Sequence, residues 1–182
     1  MTSLILYACP VGPLAAQIED YLHKSQQACG PNAAHAYMPH CTLTGFFKDE
    51  ASAVPYYAQA IETALHHHRS QRANLDINLP ITVTDMVFRD GWHGLALRAE
   101  ALKHLVTTVA ALANSPTRQE NLRLKDWLHL SLAYDFNPSD QRKLQQLASQ
   151  LIDIAAPVMW ELRLYERDTA GQWTCHHRWA LQ

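Results

Sequence analysis

The chain has 182 residues, 48% of them hydrophobic and 18% charged, with a formal net charge of −2 at pH 7 and a pI near 6.6. That length and apolar content suit one domain with a full core, and near-neutral charge with no long Lys/Arg run excludes the electrostatic footprint of a protein that holds long nucleic acid. No stretch reaches the ~20 apolar residues of a membrane helix, and Met1 to Ala16 lacks the basic start of a secretory leader.

In chain order, Leu4 to Cys9 alternates as a short strand, and Leu14 to Ala28 carries Leu14, Ile18, Tyr21 and Leu22 at helical spacing. Gly30-Pro31-Asn32 makes a turn, and a strand over Pro39 to Phe47 follows. After a polar break a helix is expected over Ala51 to His68, then strand over Leu75 to Arg89, interrupted at Pro80. The order then repeats. His93 to Arg98 is a strand, Ala101 to Ala113 a helix with Leu102, Leu105, Val109 and Leu112 on one face, and Asn114-Ser115-Pro116 a turn. Trp127 to Phe136 is a strand, Ser139 to Ile154 a helix, and Val158 to Arg167 with Gln172 to Leu181 two closing strands.

Each half thus reads strand, helix, strand, helix, strand, and an ungapped shift of 89 residues lays His40 on His129. The predicted architecture is α+β and bilobal. Two pseudo-symmetric lobes, approximately residues 1–91 and 92–182 of a single domain, would each have a mainly antiparallel sheet with flanking helices. Strand exchange between the lobes is compatible with this order, and the cleft would lie between them.

Four His-x-Ser/Thr triads occur, at His23, His40, His68 and His129. Those at 23 and 68 fall in predicted helices, where residues i and i+2 do not share a face; surface positions explain them. His40-Cys41-Thr42-Leu43-Thr44 and His129-Leu130-Ser131-Leu132-Ala133 fall in predicted strands with apolar residues interposed. Alternation puts His40, Thr42 and Thr44 on one face, and His129 with Ser131 on one face, each hydroxyl roughly 6.7 Å along from its imidazole. Brought together by a duplicated fold, two imidazoles near their ordinary pKa of about 6.5 can serve as acid and base on opposite sides of a phosphorus. Two hydroxyls can then hold its non-bridging oxygens.

The same parity puts Phe46 beside His40 and Trp127 beside His129, as secondary candidates for stacking on a base. Thr44 and Arg98 are secondary candidates for substrate contact. Arg123 and Lys125 fit a second phosphate or an ordinary solvated loop equally well. Tyr134 has the opposite parity from His129 and is assigned a structural role. His66-His67-His68 and His176-His177 lack the i, i+4 pairing with a nearby acid that a helical metal site uses, so neither a metal nor another cofactor is expected. Cys9, Cys29, Cys41 and Cys175 form no Cys-x-x-Cys pair and read as reduced thiols of a cytoplasmic protein.

The two motif strands and the order of elements resemble the two-histidine (2H) phosphoesterase superfamily, which includes cyclic nucleotide phosphodiesterases and 2′-5′ RNA ligase-like enzymes. The segment from His129 to Tyr134 is similar to the second motif of plant and fungal cyclic phosphodiesterases. The resemblance implies His40 and His129 as the acid–base pair, with Thr42 and Ser131 holding phosphate oxygens. It also implies metal-independent hydrolysis of a cyclic phosphate, of the 2′,3′-cyclic nucleotide or ADP-ribose 1″,2″-cyclic phosphate type. The chain departs from the commonest pattern in having Ser at 131, which keeps the donor, and Ala133 where the first motif has Thr44. The expected partner is a small cyclic nucleotide or a short RNA end, bound by a monomer away from membranes. Two alternatives stand beside this: an RNA-end ligase or hydrolase of the same family, and a non-catalytic nucleotide-binding module of the same fold.

Overall fold

Alternating and helical apolar patterns resolve, in a computed structural model describing residues 1–72 and 81–181, into eight strands and four α-helices. The strands are β1 (Thr2–Val11), β2 (Cys41–Thr42), β3 (Phe47–Asp49), β4 (Thr82–Arg89), β5 (Trp92–Arg98), β6 (His129–Tyr134), β7 (Met159–Arg167) and β8 (Trp173–Ala180). The helices are α1 (Pro13–Cys29), α2 (Val54–Arg72), α3 (Glu100–Leu112) and α4 (Gln141–Leu151). The part of the expected strand before Ile81 lies outside the described residues.

All strand pairs are antiparallel, and the sheet runs β4-β5-β6-β2-β1-β7-β8 with β3 also on β1. This is the α+β class, but the ladders join into one sheet rather than one sheet for each lobe. The two motif strands meet at its middle through a single pair, Cys41 opposite Leu130. β4 borders β5, and β7 borders β1, so strands from each half of the chain lie on both sides of that junction. The helices pair across the halves as well, α1 packing on α4 and α2 on α3.

Side-chain alternation gives the sheet two different faces. On β1, Leu4, Leu6 and Ala8 join Ile18 and Tyr21 of α1, Ile61 of α2, Leu105 of α3 and Ala148 of α4 in packing that helical side. Cys41, Leu95, Leu130 and Leu162 come to the same core from the other strands. Ile5, Tyr7 and Cys9 of β1 turn to the opposite face, where they cluster with Tyr165 and are bordered by Phe46 and Trp173. The helices therefore occupy the first face, and the second is left for the site.

Candidate active site

The two motif strands deliver their polar residues to one cleft on that second face, with a volume of about 460 Å³. His40, Thr42, His129 and Ser131 all line it. The interposed Cys41 and Leu130 are fully buried on the helical side, which holds each strand in the orientation that the parity argument requires. His23 and His68 lie instead on α1 and α2, outside the cleft lining.

Both imidazoles are anchored in the same way. Nδ1 of His40 lies 2.7 Å from the carbonyl oxygen of Met38, and Nδ1 of His129 lies 3.3 Å from that of Trp127. In each case the partner is the residue two positions upstream. A carbonyl oxygen can only accept, so each Nδ1 carries the proton and donates. Nε2 is then the nitrogen left for the cleft: a lone pair when the ring is neutral, a donor when it is protonated. Burial lowers the His40 pKa to about 4, against the opposing hydrogen bond to Met38, with a smaller contribution from His129. Burial also lowers that of His129, against the Trp127 hydrogen bond and with the charges of Lys125 and Arg89 acting in the same direction. Both shifts favour the neutral form of the rings. An anion seated between them opposes those shifts, because it favours the protonated form of a nearby ring.

The walls are aromatic. Tyr7 packs on His40 with ring centroids 4.0 Å apart. Trp92 of β5 meets His129 edge-on at 5.3 Å and donates from Nε1 to Ser131 Oγ at 3.0 Å. An indole N–H is a donor only, so Ser131 accepts from Trp92 and its own hydroxyl proton is left to donate toward the cleft. Gly94 makes room for this: a Cβ there would collide with the Leu130 carbonyl oxygen and the Trp92 ring. Parity from His129 along its own strand could not show Trp92, which sits on the neighbouring β5. The signal available was the Trp92-His93-Gly94 alternation at the start of the second short strand.

The secondary candidates divide. Phe46 lines the cleft. Trp127 stacks on His129 at 4.1 Å and 29°, and is 45% exposed outside the cleft lining. Its contact is with the catalytic candidate rather than with the pocket. Thr44 is only 1% exposed, and its Oγ1 accepts from the Leu6 amide at 3.1 Å. The strand is irregular there: Leu43 and Thr44 both direct their N–H to the Leu6 carbonyl, and Thr44 is turned inward as a backbone anchor. Arg98 is exposed opposite Thr82 on the β4–β5 ladder, away from the cleft. Tyr134 corrects the parity assignment, because it does line the cleft. Ser131 pairs with Gly94 but Ala133 with His93, so Leu132 is an extra residue in β6. One extra residue reverses which face the following side chains take. Arg123 and Lys125 line the cleft too. Among the described residues no group of three or more His, Cys, Asp or Glu converges as a metal site, and no helix is long and apolar enough to cross a membrane.

The chain shares its fold with a solved phosphoesterase structure, at a TM-score of 0.50 and 20% identity over 100% of this chain and 99% of that one. That likeness is one of fold, and on this fold the paired His-x-Thr/Ser strands open on one cleft. Among curated proteins the chain is similar to Ubiquitin-associated and SH3 domain-containing protein B of Homo sapiens, 34% identical over 167 residues, covering 90% of this chain and 25% of that protein. It is also similar to Ecdysteroid-phosphate phosphatase of Drosophila melanogaster, 30% identical over 199 residues, covering 90% of this chain and 26% of that protein. The chain spans about a quarter of the length of these relatives. No family model matches it.

Proposed function

We propose that this domain is a metal-independent phosphodiesterase that opens a cyclic phosphate on a nucleotide, a short RNA end or an ADP-ribose-type ligand by two-histidine acid–base catalysis. The observation that carries the reading is the matched anchoring of His40 and His129, each held by Nδ1 to the carbonyl two residues upstream while both rings line one cleft. The Drosophila relative is named for a steroid phosphate, but this chain aligns with about a quarter of that protein. The cleft is the better guide to this domain's chemistry.

With the cyclic phosphate between the rings, neutral Nε2 of one histidine takes a proton from water as its oxygen attacks phosphorus. The bond from phosphorus to one ring oxygen breaks in line, and protonated Nε2–H of the other histidine gives that oxygen its proton. One ester bond is lost and one P–O bond gained, leaving a phosphate monoester and a free hydroxyl. The two histidines exchange protonation states and reset through solvent. Thr42 and Ser131 donate to the non-bridging oxygens, where negative charge builds up in the transition state, and the Trp92 contact keeps Ser131 oriented for this.

The test is to incubate purified protein in excess EDTA with 2′,3′-cyclic nucleotides and ADP-ribose 1″,2″-cyclic phosphate, identifying the monoester formed. Turnover in EDTA is expected. Activity abolished by EDTA and restored by zinc or manganese would make the histidines metal ligands. Nucleotide binding with no turnover at any pH would make the domain a binding module.

A further inference from the structure

The short segment Arg123-Leu124-Lys125 has a built relation to the cleft that the two-histidine chemistry does not use. Leu124 forms an isolated bridge opposite Thr44 and packs against the core. The Gly45 amide donates to the Arg123 carbonyl at 2.7 Å, and the Lys125 amide donates to the Leu43 carbonyl at 3.0 Å. With Leu124 held inward, alternation turns Arg123 and Lys125 outward, and both line the cleft. Gly45 leaves space for the guanidinium, since a Cβ there would lie 3.2 Å from Nη2 of Arg123. That nitrogen donates to the Phe46 carbonyl, a neutral partner, at 3.0 Å.

Among the described residues the cleft lining contains no carboxylate, and neither cation is in an ion pair. A cyclic phosphodiester carries a single negative charge, for which the histidines and hydroxyls already provide. Two permanent cations fixed at the same cleft are more than that ligand requires. We propose that Arg123 and Lys125 form a second-anion subsite, and that the preferred substrate is a cyclic phosphate bearing a further phosphate group, as on a 5′-phosphorylated nucleotide or the end of a short RNA. This rests on the phosphodiesterase reading for the substrate, but not for the subsite itself.

Two measurements keep the ideas separable. The first compares kcat/KM for adenosine 2′,3′-cyclic phosphate with and without a 5′-phosphate, in the wild type, Lys125→Gln, Arg123→Gln and, as a remote charge control on α4, Arg142→Gln. A hydrogen bond to a charged group predicts at least about a tenfold preference for the 5′-phosphorylated substrate in the wild type. The preference should fall toward unity in both cleft variants and persist in Arg142→Gln. The second measures calorimetric binding of adenosine 3′-monophosphate against adenosine 3′,5′-bisphosphate to the same proteins, and needs no turnover. Preference for the bisphosphate that depends on Lys125 and Arg123 supports the subsite even if no cyclic phosphate is cleaved, an outcome that would refute the phosphodiesterase alone. A wild-type preference below about twofold, or an equal loss in Arg142→Gln, overturns the subsite.

Discussion

At the scale of single residues, the two histidines are held alike but titrate in a shared environment. The folded cleft lowers both pKa values, His40 to about 4 and His129 also downward, each chiefly by burial. The proposed catalysis needs one ring neutral and one protonated. For kcat/KM, which reports the free protein, the maximum should therefore lie on the acid side of 6.5, the ordinary histidine value. Above it the rate falls as the last shared proton leaves; below it the rate falls as the base is protonated. A bound phosphate favours protonation, so the kcat profile should lie to the alkaline side of that for kcat/KM. Initial rates between pH 4 and 9 check both, and the limbs belong to the pair rather than to either ring. A kcat/KM maximum above pH 7.5 would contradict this account of burial.

In the proposed mechanism Trp92, which also lines the cleft, orients Ser131 through its Nε1–H hydrogen bond. Trp92→Phe removes one hydrogen bond while keeping an aromatic ring, so kcat should fall about 3- to 10-fold. Ser131→Ala should then cost less in that background than in the wild type, because the two side chains work as one unit. Additive losses in the double-mutant cycle would show that they act separately. Thr44→Val is expected to behave differently. It leaves the buried Leu6 amide without its side-chain acceptor, so urea unfolding should show a loss of about 1–3 kcal/mol, with kcat within about threefold of the wild type.

At the scale of elements, the sequence made the motif strands legible as far as their alternation stayed regular. His40 with Thr42, and His129 with Ser131, fall where strand parity puts them because Cys41 and Leu130 between them are core residues. Parity failed where the backbone gains residues. From Thr42 to Phe47 is five steps while the partner runs three, from Tyr7 to Leu4. The difference of two restores parity at Phe46, yet Thr44 inside the irregular stretch is turned to the Leu6 amide. In β6 the single extra residue, Leu132, brings Tyr134 round to the cleft. Such insertions follow from fitting two strands together and are not written in either strand alone. The ungapped repeat had the same limit: it lays Tyr7 on Ala96, but the ladders put Tyr7 opposite Thr42 and Ala96 opposite His129. Gly94 is where this fit is tightest. Gly94→Ala forces its Cβ against the Leu130 carbonyl and the Trp92 ring, so it should destabilise by about 1–3 kcal/mol, the scale of overpacking. Thermal or urea unfolding measures this, and an unchanged midpoint would mean that the β5–β6 ladder yields there.

At the scale of the molecule, the proposed function depends on two distant stretches of chain meeting at the centre of one sheet. The order of elements predicted the class of fold and the nearness of the motifs. It did not predict that a single pair, Cys41 opposite Leu130, would join them, nor that all four helices would contribute to the opposite face. Those outcomes are set by which apolar stripes can be buried together. Placing both histidines on one face makes each dependent on the other, since a base without its facing acid completes only half of the proton transfer. The most direct measurement is kcat for 2′,3′-cyclic nucleotide hydrolysis in EDTA by the wild type, His40→Ala, His129→Ala and the double variant, with folding checked by circular dichroism. The account predicts that each single variant loses at least about 10²-fold and that the double variant loses much less than the product of the two. Folded single variants that retain near wild-type turnover would contradict it.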